Sequence, residues 1–165
     1  MIDFGLPLKF PPKEFTLLVR AWSLLIAGTI LQRAVPMTWW GRLMGTPVAV
    51  SVSVPVASSG PKNAHFGHMD VKNAIHRASR KLPWTPTCLA QAFAGQRILL
   101  SRKTAGEVFI GLKPEGDTDW PTHAWLTHQG ETLTGELEEK NYFPATVYRV
   151  LGQPGHRIGT TLTER

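Results

Sequence analysis

Residues 84–101 have the sequence WTPTCLAQAFAGQRILLS, which predicts a helix with a cysteine near its start. Thr85 is a suitable N-cap, and Pro86 suits the first helical position, where its missing N–H would have no helical partner. Apolar side chains then recur at helical spacing to about Ser101. Cys88 is therefore predicted in the first turn, where unpaired N–H groups and the helix dipole favour a thiolate over a thiol.

Cys88 is the single cysteine among 165 residues, so an internal disulfide is excluded. No cleavable secretion signal is predicted, and a reducing cytoplasm is the predicted location. A lone cysteine is more often a small buried apolar residue than a nucleophile. The surrounding sequence has to distinguish these two interpretations.

A predicted hairpin downstream of the helix supplies a base and an acid. Strands are predicted at 107–113, 122–128, 131–137 and 142–151. Gln129-Gly130 suits a two-residue hairpin loop, which would pair His128 with Glu131 and place His123 opposite Glu136. Directly paired residues project from one face, so this register predicts the imidazole–carboxylate pair that a Cys–His–acid triad requires. An exposed pair without a function is the alternative interpretation.

The segment 15–31 is the most apolar part of the chain. It predicts a helix with one apolar face, formed by Leu17, Ala21, Leu24, Gly28 and Leu31. Arg20 and Arg33 leave twelve positions between them, fewer than the roughly 20 apolar residues of a membrane span. A buried or protein-docking helix is predicted. Peripheral membrane contact stays open because of three nearby tryptophans, Trp22, Trp39 and Trp40.

The region between this helix and the cysteine contains two further patterns. Valine alternates with other residues within 46–64, and Pro47 and Pro55 restrict this segment to an edge strand or a connector. A second helix is predicted from Asp70 as its cap to Leu82-Pro83. His65 and His68 have the spacing of a metal pair but no further ligands at suitable positions, so we predict a solvated loop and no metal site.

Length and charge limit the classes of function. The chain has room for one domain. Its net charge of +6 and pI near 9.8 favour acidic partners. It has no run of five or six Lys/Arg and no aromatic-basic RNA motif, so nucleic-acid binding is not predicted.

Several short motifs together resemble the transglutaminase-like peptidase domain of lasso-peptide biosynthesis B proteins. They are Trp84 followed by Cys88-Leu89, the preceding Ala78-Ser79-Arg80-Lys81-Leu82-Pro83, and the following Phe109-Ile110-Gly111 and His123-Ala124-Trp125. The resemblance covers about residues 69–137. The apolar helix ending near Arg33-Ala34-Val35-Pro36 also resembles the segment that these proteins carry before their catalytic part.

The resemblance implies an α+β fold, papain-like or transglutaminase-like, preceded by an apolar helical segment. Residues 1–68 would form the N-terminal helix and the Val/Ser/Pro connector, and residues 69–165 the catalytic domain. Cys88 and His123 carry over as nucleophile and base. The family's third residue is commonly an Asp about twelve positions after the His, which falls here on Gly135, so that assignment fails. Glu136 is the nearest acid, and the predicted hairpin register independently favours it.

The resemblance also implies how the oxyanion is held and which partners are needed. The backbone N–H of Cys88 is the main predicted oxyanion donor, the Trp84 indole N–H a further one, and Gln91 a weaker candidate. Members of the family cleave the leader from a ribosomal precursor so that an asparagine-synthetase-like cyclase, which uses ATP, can form the macrolactam. The 68 residues before the match contain no compact small domain, so a separate leader-binding protein is expected. No cofactor is predicted for this chain.

Two other functions remain open from the sequence. A Cys–His pair indicates acyl-enzyme chemistry but does not identify the group that finally accepts the acyl chain. The first alternative function is therefore a related acyltransferase or amidase. The second is a non-catalytic scaffold that binds the precursor or the cyclase.

Overall fold

The computed structural model of the chain describes residues 12–48, 65–113, 122–135 and 142–150 and has both helices and a sheet. The helices are α1 (Pro12–Ala34), α2 (Met37–Trp40), α3 (His65–Ser79) and α4 (Cys88–Ser101), and a 3-10 turn (Gly41–Met44) follows α2. The strands are β1 (Thr46–Val48), β2 (Gly106–Leu112), β3 (Thr122–His128), β4 (Glu131–Thr134) and β5 (Phe143–Val150). The predicted α+β class and the N-terminal apolar helix are confirmed.

The described strands form one antiparallel sheet with the order β1-β5-β2-β3-β4. β1 lies at an edge, as Pro47 predicts, because a proline has no N–H to donate to a sheet ladder. The remainder of the predicted Val-rich segment lies outside the described residues. β2 and β3 lie within one residue of their predicted positions.

Helix α4 lies at the centre of the molecule. It contacts α1 and α3 on one side and β2, β3 and β4 on the other, and most of its residues from Ala90 to Leu99 are buried. Gly28 lets α1 approach closely, because a Cβ there would lie 3.1 Å from the Phe93 ring and 3.3 Å from the Ala90 Cα. The predicted apolar face of α1 is confirmed at Leu17, Ala21 and Gly28, with Leu25 also buried.

The opposite side of α1 carries exposed apolar side chains. They are Phe15, Val19, Trp22 and Ile30, whose exposed fractions lie between 43% and 59%. By length and composition alone, Lys13–Ala34 is apolar enough to cross a membrane, and 22% of its most apolar window is buried in the fold. Core helices of soluble proteins and signal sequences share this composition, so α1 itself does not distinguish between these roles.

Helix α3 begins earlier than predicted. Asp70 is not its cap, because the helix already includes His65 and continues through Gly67. The Gly67 carbonyl accepts a hydrogen bond from Arg102 Nη1 at 2.8 Å, a tertiary contact that local spacing does not indicate. His65 and His68, predicted in a loop, therefore lie on a helix. The helix also passes through the predicted boundary between residues 68 and 69, and the division into two segments stays a prediction.

Gln96 is a fully buried polar side chain that ties α4 to the segment before β1 and to the start of β2. Its Nε2 donates to the Met44 carbonyl at 2.9 Å and to the Gly106 carbonyl at 3.1 Å. We expect Gln96→Leu to lower the free energy of unfolding by about 1 to 3 kcal/mol, because two buried carbonyls lose their donor.

Urea unfolding followed by circular dichroism measures this change. Arg97→Ala is the matched control on the same helix, since it removes only an exposed 3.5 Å contact to the Leu43 carbonyl. It should change the free energy by no more than about 0.5 kcal/mol. Equal unfolding midpoints for Gln96→Leu and the wild type would contradict the structural role of Gln96.

Candidate active site

Cys88 is the first residue of α4, so its predicted place in the first helical turn is confirmed. The predicted cap is wrong by two positions, because Thr87 rather than Thr85 is the N-cap. The Thr87 hydroxyl accepts a hydrogen bond from the Ala90 N–H at 3.2 Å and donates to Gln32 Oε1 of α1. This tertiary hydrogen bond is absent from local sequence patterns and accounts for the choice of Thr87.

The capped helix start leaves backbone donors beside the thiol. The first N–H groups of a helix have no intrahelical acceptor, and the Thr87 side chain satisfies that of Ala90. The N–H of Cys88, the first residue of the helix, likewise has no intrahelical acceptor. Its role as the oxyanion donor stays a prediction.

His123 is held on three sides at the start of β3. Its Nε2 lies 3.1 Å from the Gly135 carbonyl oxygen, within hydrogen-bonding distance. Its ring stacks with Trp125 at a centroid distance of 6.0 Å and an interplanar angle of 19°, and meets Tyr142 at 5.0 Å. Phe109 stacks in turn on Trp125 at 5.3 Å. The imidazole is 7% exposed, so its orientation is restricted by these contacts.

Cys88 and His123 line the same cavity, which has a volume of about 520 Å³. The volume is within the range of small-molecule and peptide side-chain sites. The other lining residues are Lys72, Asn73, Ile75 and His76 of α3, Gln91 of α4, and Leu133, Thr134 and Gly135 at the end of the hairpin. The sequence missed the contribution of α3. No carboxylate lines this cavity within the part of the chain that the structure describes.

The predicted hairpin register is correct only near its turn. Gln129 and Gly130 have φ angles of 52° and 81°, as a type I′ loop requires, and His128 pairs with Glu131. The register then shifts by one residue, so that Leu126 pairs with Thr134 instead of Leu133. An additional residue in β4 is the feature of a β-bulge.

The shifted register removes the argument that placed Glu136 opposite His123. Strand β4 ends at Thr134, and Gly135 follows with a φ of 81°, outside strand geometry. Glu136 itself lies outside the described residues. Its role as the third catalytic residue stays a prediction without the support of the hairpin.

The two side-chain candidates for an oxyanion donor differ in position. Trp84 is 39% exposed and is not among the described residues that line the cavity. Gln91 does line it, and its Nε2 is oriented by donating to the Pro86 carbonyl at 3.0 Å. Gln91 is therefore the better placed of the two.

Within residues 12–48, 65–113, 122–135 and 142–150, no group of three or more His, Cys, Asp or Glu side chains is arranged to hold a metal ion. The side chains that line the described cavity supply one thiol, two imidazoles, two amides, an amine and a hydroxyl.

Comparisons with known proteins agree with this arrangement at the level of the family. A family model described as the Transglutaminase-like superfamily matches residues 57–147, which is more than half of the chain. The match includes Cys88, His123 and all of the cavity residues. No significant match is found among curated proteins or among solved structures.

Proposed function

The chain belongs to the Transglutaminase-like superfamily, and we propose that it is a cysteine peptidase with Cys88 as the nucleophile and His123 as the base. The observation that carries the proposal is that these two residues line one cavity, with Cys88 at a helix start. The superfamily is compatible with both peptidase and acyltransferase chemistry, and both use a thiol and an imidazole in these roles.

The proposed reaction proceeds through an acyl-enzyme. The imidazole takes the thiol proton, and the Cys88 sulfur forms a bond to the carbonyl carbon of the scissile peptide. The carbon–nitrogen bond breaks as His123 delivers that proton to the departing amine. Water, deprotonated by His123, then attacks the thioester, and the thiol is restored as the new carboxylate leaves.

The backbone N–H of Cys88 is proposed to stabilise the oxyanion of both tetrahedral intermediates. A preorganised donor at this point typically contributes about 10²-fold or more to the rate. Gln91 is proposed as the accompanying side chain because it lines the cavity. Trp84 is not retained in this role.

The proposed substrate is the precursor of a lasso peptide, with cleavage at the junction of leader and core. The support is the combined resemblance of residues 69–137 to the peptidase domain of lasso-peptide B proteins. Lys72 and His76 on the cavity wall, together with the net charge of +6, suit a peptide that carries acidic groups. Leader removal would take place in the cytoplasm, before a partner cyclase forms the macrolactam.

Two protein partners belong to this proposal. One is a separate leader-binding protein, and the other is the asparagine-synthetase-like cyclase, which would use the ATP. The exposed apolar side chains of α1, namely Phe15, Val19, Trp22 and Ile30, offer a surface for one of them. Peripheral contact with a membrane is the other use that this surface permits.

Reconstitution in ¹⁸O-labelled water tests the reaction type. We expect the purified chain, with a candidate precursor and its leader-binding protein, to release a leader whose new carboxylate contains one ¹⁸O atom from water. Mass spectrometry of the leader measures it. A leader linked to an added amine, without the label, would instead identify an acyltransferase. Precursor that stays intact but bound would indicate a scaffold.

A further inference from the structure

We propose that the backbone carbonyl of Gly135 is the third member of the active site and takes the place of an acidic side chain. The inference rests on the proposed function of Cys88 and His123. It concerns how His123 is oriented, and it assigns Gly135 a positioning role that does not involve contact with the substrate.

The hydrogen bond between His123 and Gly135 fixes the tautomer of the ring. A carbonyl oxygen can only accept, so the Nε2 atom 3.1 Å away must carry the hydrogen and donate it. In a neutral imidazole the other nitrogen is then unprotonated. Nδ1 is left as the base, which is the state needed to accept the thiol proton of Cys88.

Position 135 has no room for a side chain. Its φ of 81° is a conformation that L residues rarely adopt, and a Cβ there would lie 2.9 Å from His123 Nε2 and 2.8 Å from the Trp125 Cβ. The Ala124 carbonyl oxygen would also be only 2.9 Å away. An aspartate at this position would therefore displace the imidazole that it was meant to orient.

The bulge in β4 explains how a backbone group reaches the ring. Leu133 is the additional residue, between the pairs Thr127–Thr132 and Leu126–Thr134. The regular ladder ends at Thr134, one residue before Gly135. The Gly135 carbonyl is thereby released from the strand and directed at His123. Trp125 and Tyr142 hold the ring in the plane that this contact requires.

A comparison of two glycines in the same hairpin isolates the effect. Gly130 and Gly135 both have a φ of 81°, but a Cβ at Gly130 would have no atom within 4 Å. Alanine therefore introduces similar backbone strain at both positions, but only at position 135 does it contact His123, together with the Trp125 Cβ and the Ala124 carbonyl oxygen. We expect Gly135→Ala to lower kcat by about 10²-fold or more with a much smaller change in KM, because a base displaced by about 1 Å loses that much.

The tautomer provides a readout that is independent of peptide cleavage. Long-range ¹H–¹⁵N spectra of the histidine rings should show that Nε2 of wild-type His123 carries a hydrogen, both in the neutral ring and in a thiolate–imidazolium pair with Cys88. Gly130→Ala should keep this pattern, and Gly135→Ala should lose it. A wild-type His123 whose Nε2 carries no hydrogen would overturn the inference, even if the protein proves to be an active peptidase. The expected tautomer in a protein that cleaves no precursor would contradict the proposed function alone.

An amide-to-ester replacement between residues 135 and 136 covers the case in which Gly135→Ala fails to fold. The ester adds no atoms at the ring and makes the Gly135 carbonyl a weaker acceptor. We expect a lower kcat and a mixture of His123 tautomers. Unchanged kcat and an unchanged tautomer in the ester protein would overturn the inference. A decrease in kcat of about two to four orders of magnitude in Glu136→Gln would also overturn the inference, because it would show that a carboxylate orients His123.

Discussion

Replacement of Cys88 with alanine is expected to abolish leader removal while leaving the fold intact. Cys88 is the single cysteine of the chain, so no other thiol can form the acyl-enzyme. Loss of the nucleophile in a Ser–His or Cys–His site typically costs about 10⁴- to 10⁶-fold in kcat. Alanine favours the helix in which Cys88 is the first residue, and the side chain is only partly buried, so stability should change little.

Mass spectrometry of the precursor after incubation with each variant measures this loss. Cys88→Ser is the matched control, since it keeps the size and polarity of the side chain but supplies a poor nucleophile at neutral pH. Both variants should bind the precursor as the wild type does. Cleavage by Cys88→Ala at the wild-type rate would exclude the proposed mechanism, whatever the substrate.

Local sequence patterns correctly predicted those elements whose formation depends on residues that are close together in the chain. The helical spacing of α1 depends on which of its side chains face the core, and β2 and β3 lie within one residue of their predicted positions. The loop formed by Gln129 and Gly130 is equally local, because it depends on the positive φ angles of those two residues. These predictions are confirmed.

The errors arose where a distant contact decides the geometry. The choice of Thr87 over Thr85 as the cap depends on Gln32, which is 55 residues away in the chain. The early start of α3 is associated with a contact between Gly67 and Arg102. Neither partner can be identified from spacing within a single element.

The predicted register of the hairpin was wrong for a different reason. A β-bulge adds one residue to a strand and so moves every later side chain to a new partner. The sequence of β4 contains no glycine or proline that would indicate the bulge at Leu133. The assignment of Glu136 depended on counting through this point.

The sequence identified the reactive side chains of the candidate site, but it did not identify the groups that hold them in position. The nucleophile and the base are identified by residue type, and both line the cavity. A backbone carbonyl has no residue type, so the contact between Gly135 and His123 could not be found by listing acids. The glycine at the position where the resembling family has an Asp was the one available signal.

Replacement of His123 with alanine is expected to have an effect almost as large as the loss of the thiol. Without the imidazole, the thiol loses its base and the departing amine loses its proton donor, and each of these functions typically contributes about 10²- to 10⁴-fold. The Gly135 carbonyl also loses its hydrogen-bond donor, and Trp125 and Tyr142 lose a stacking partner. A reduction of the unfolding free energy of about 1 to 3 kcal/mol should accompany the loss of activity.

Because this variant affects both stability and chemistry, added imidazole separates the two. The space vacated by the His123 ring lies against Trp125 and Tyr142, and the Gly135 carbonyl can accept a hydrogen bond from free imidazole there. Cleavage by His123→Ala should therefore recover in proportion to the imidazole concentration, whereas Cys88→Ala should not respond. His76→Ala is the matched control, since His76 lines the same cavity from α3 but is exposed, and it should affect KM more than kcat. Full activity of His123→Ala without imidazole would show that another group is the base.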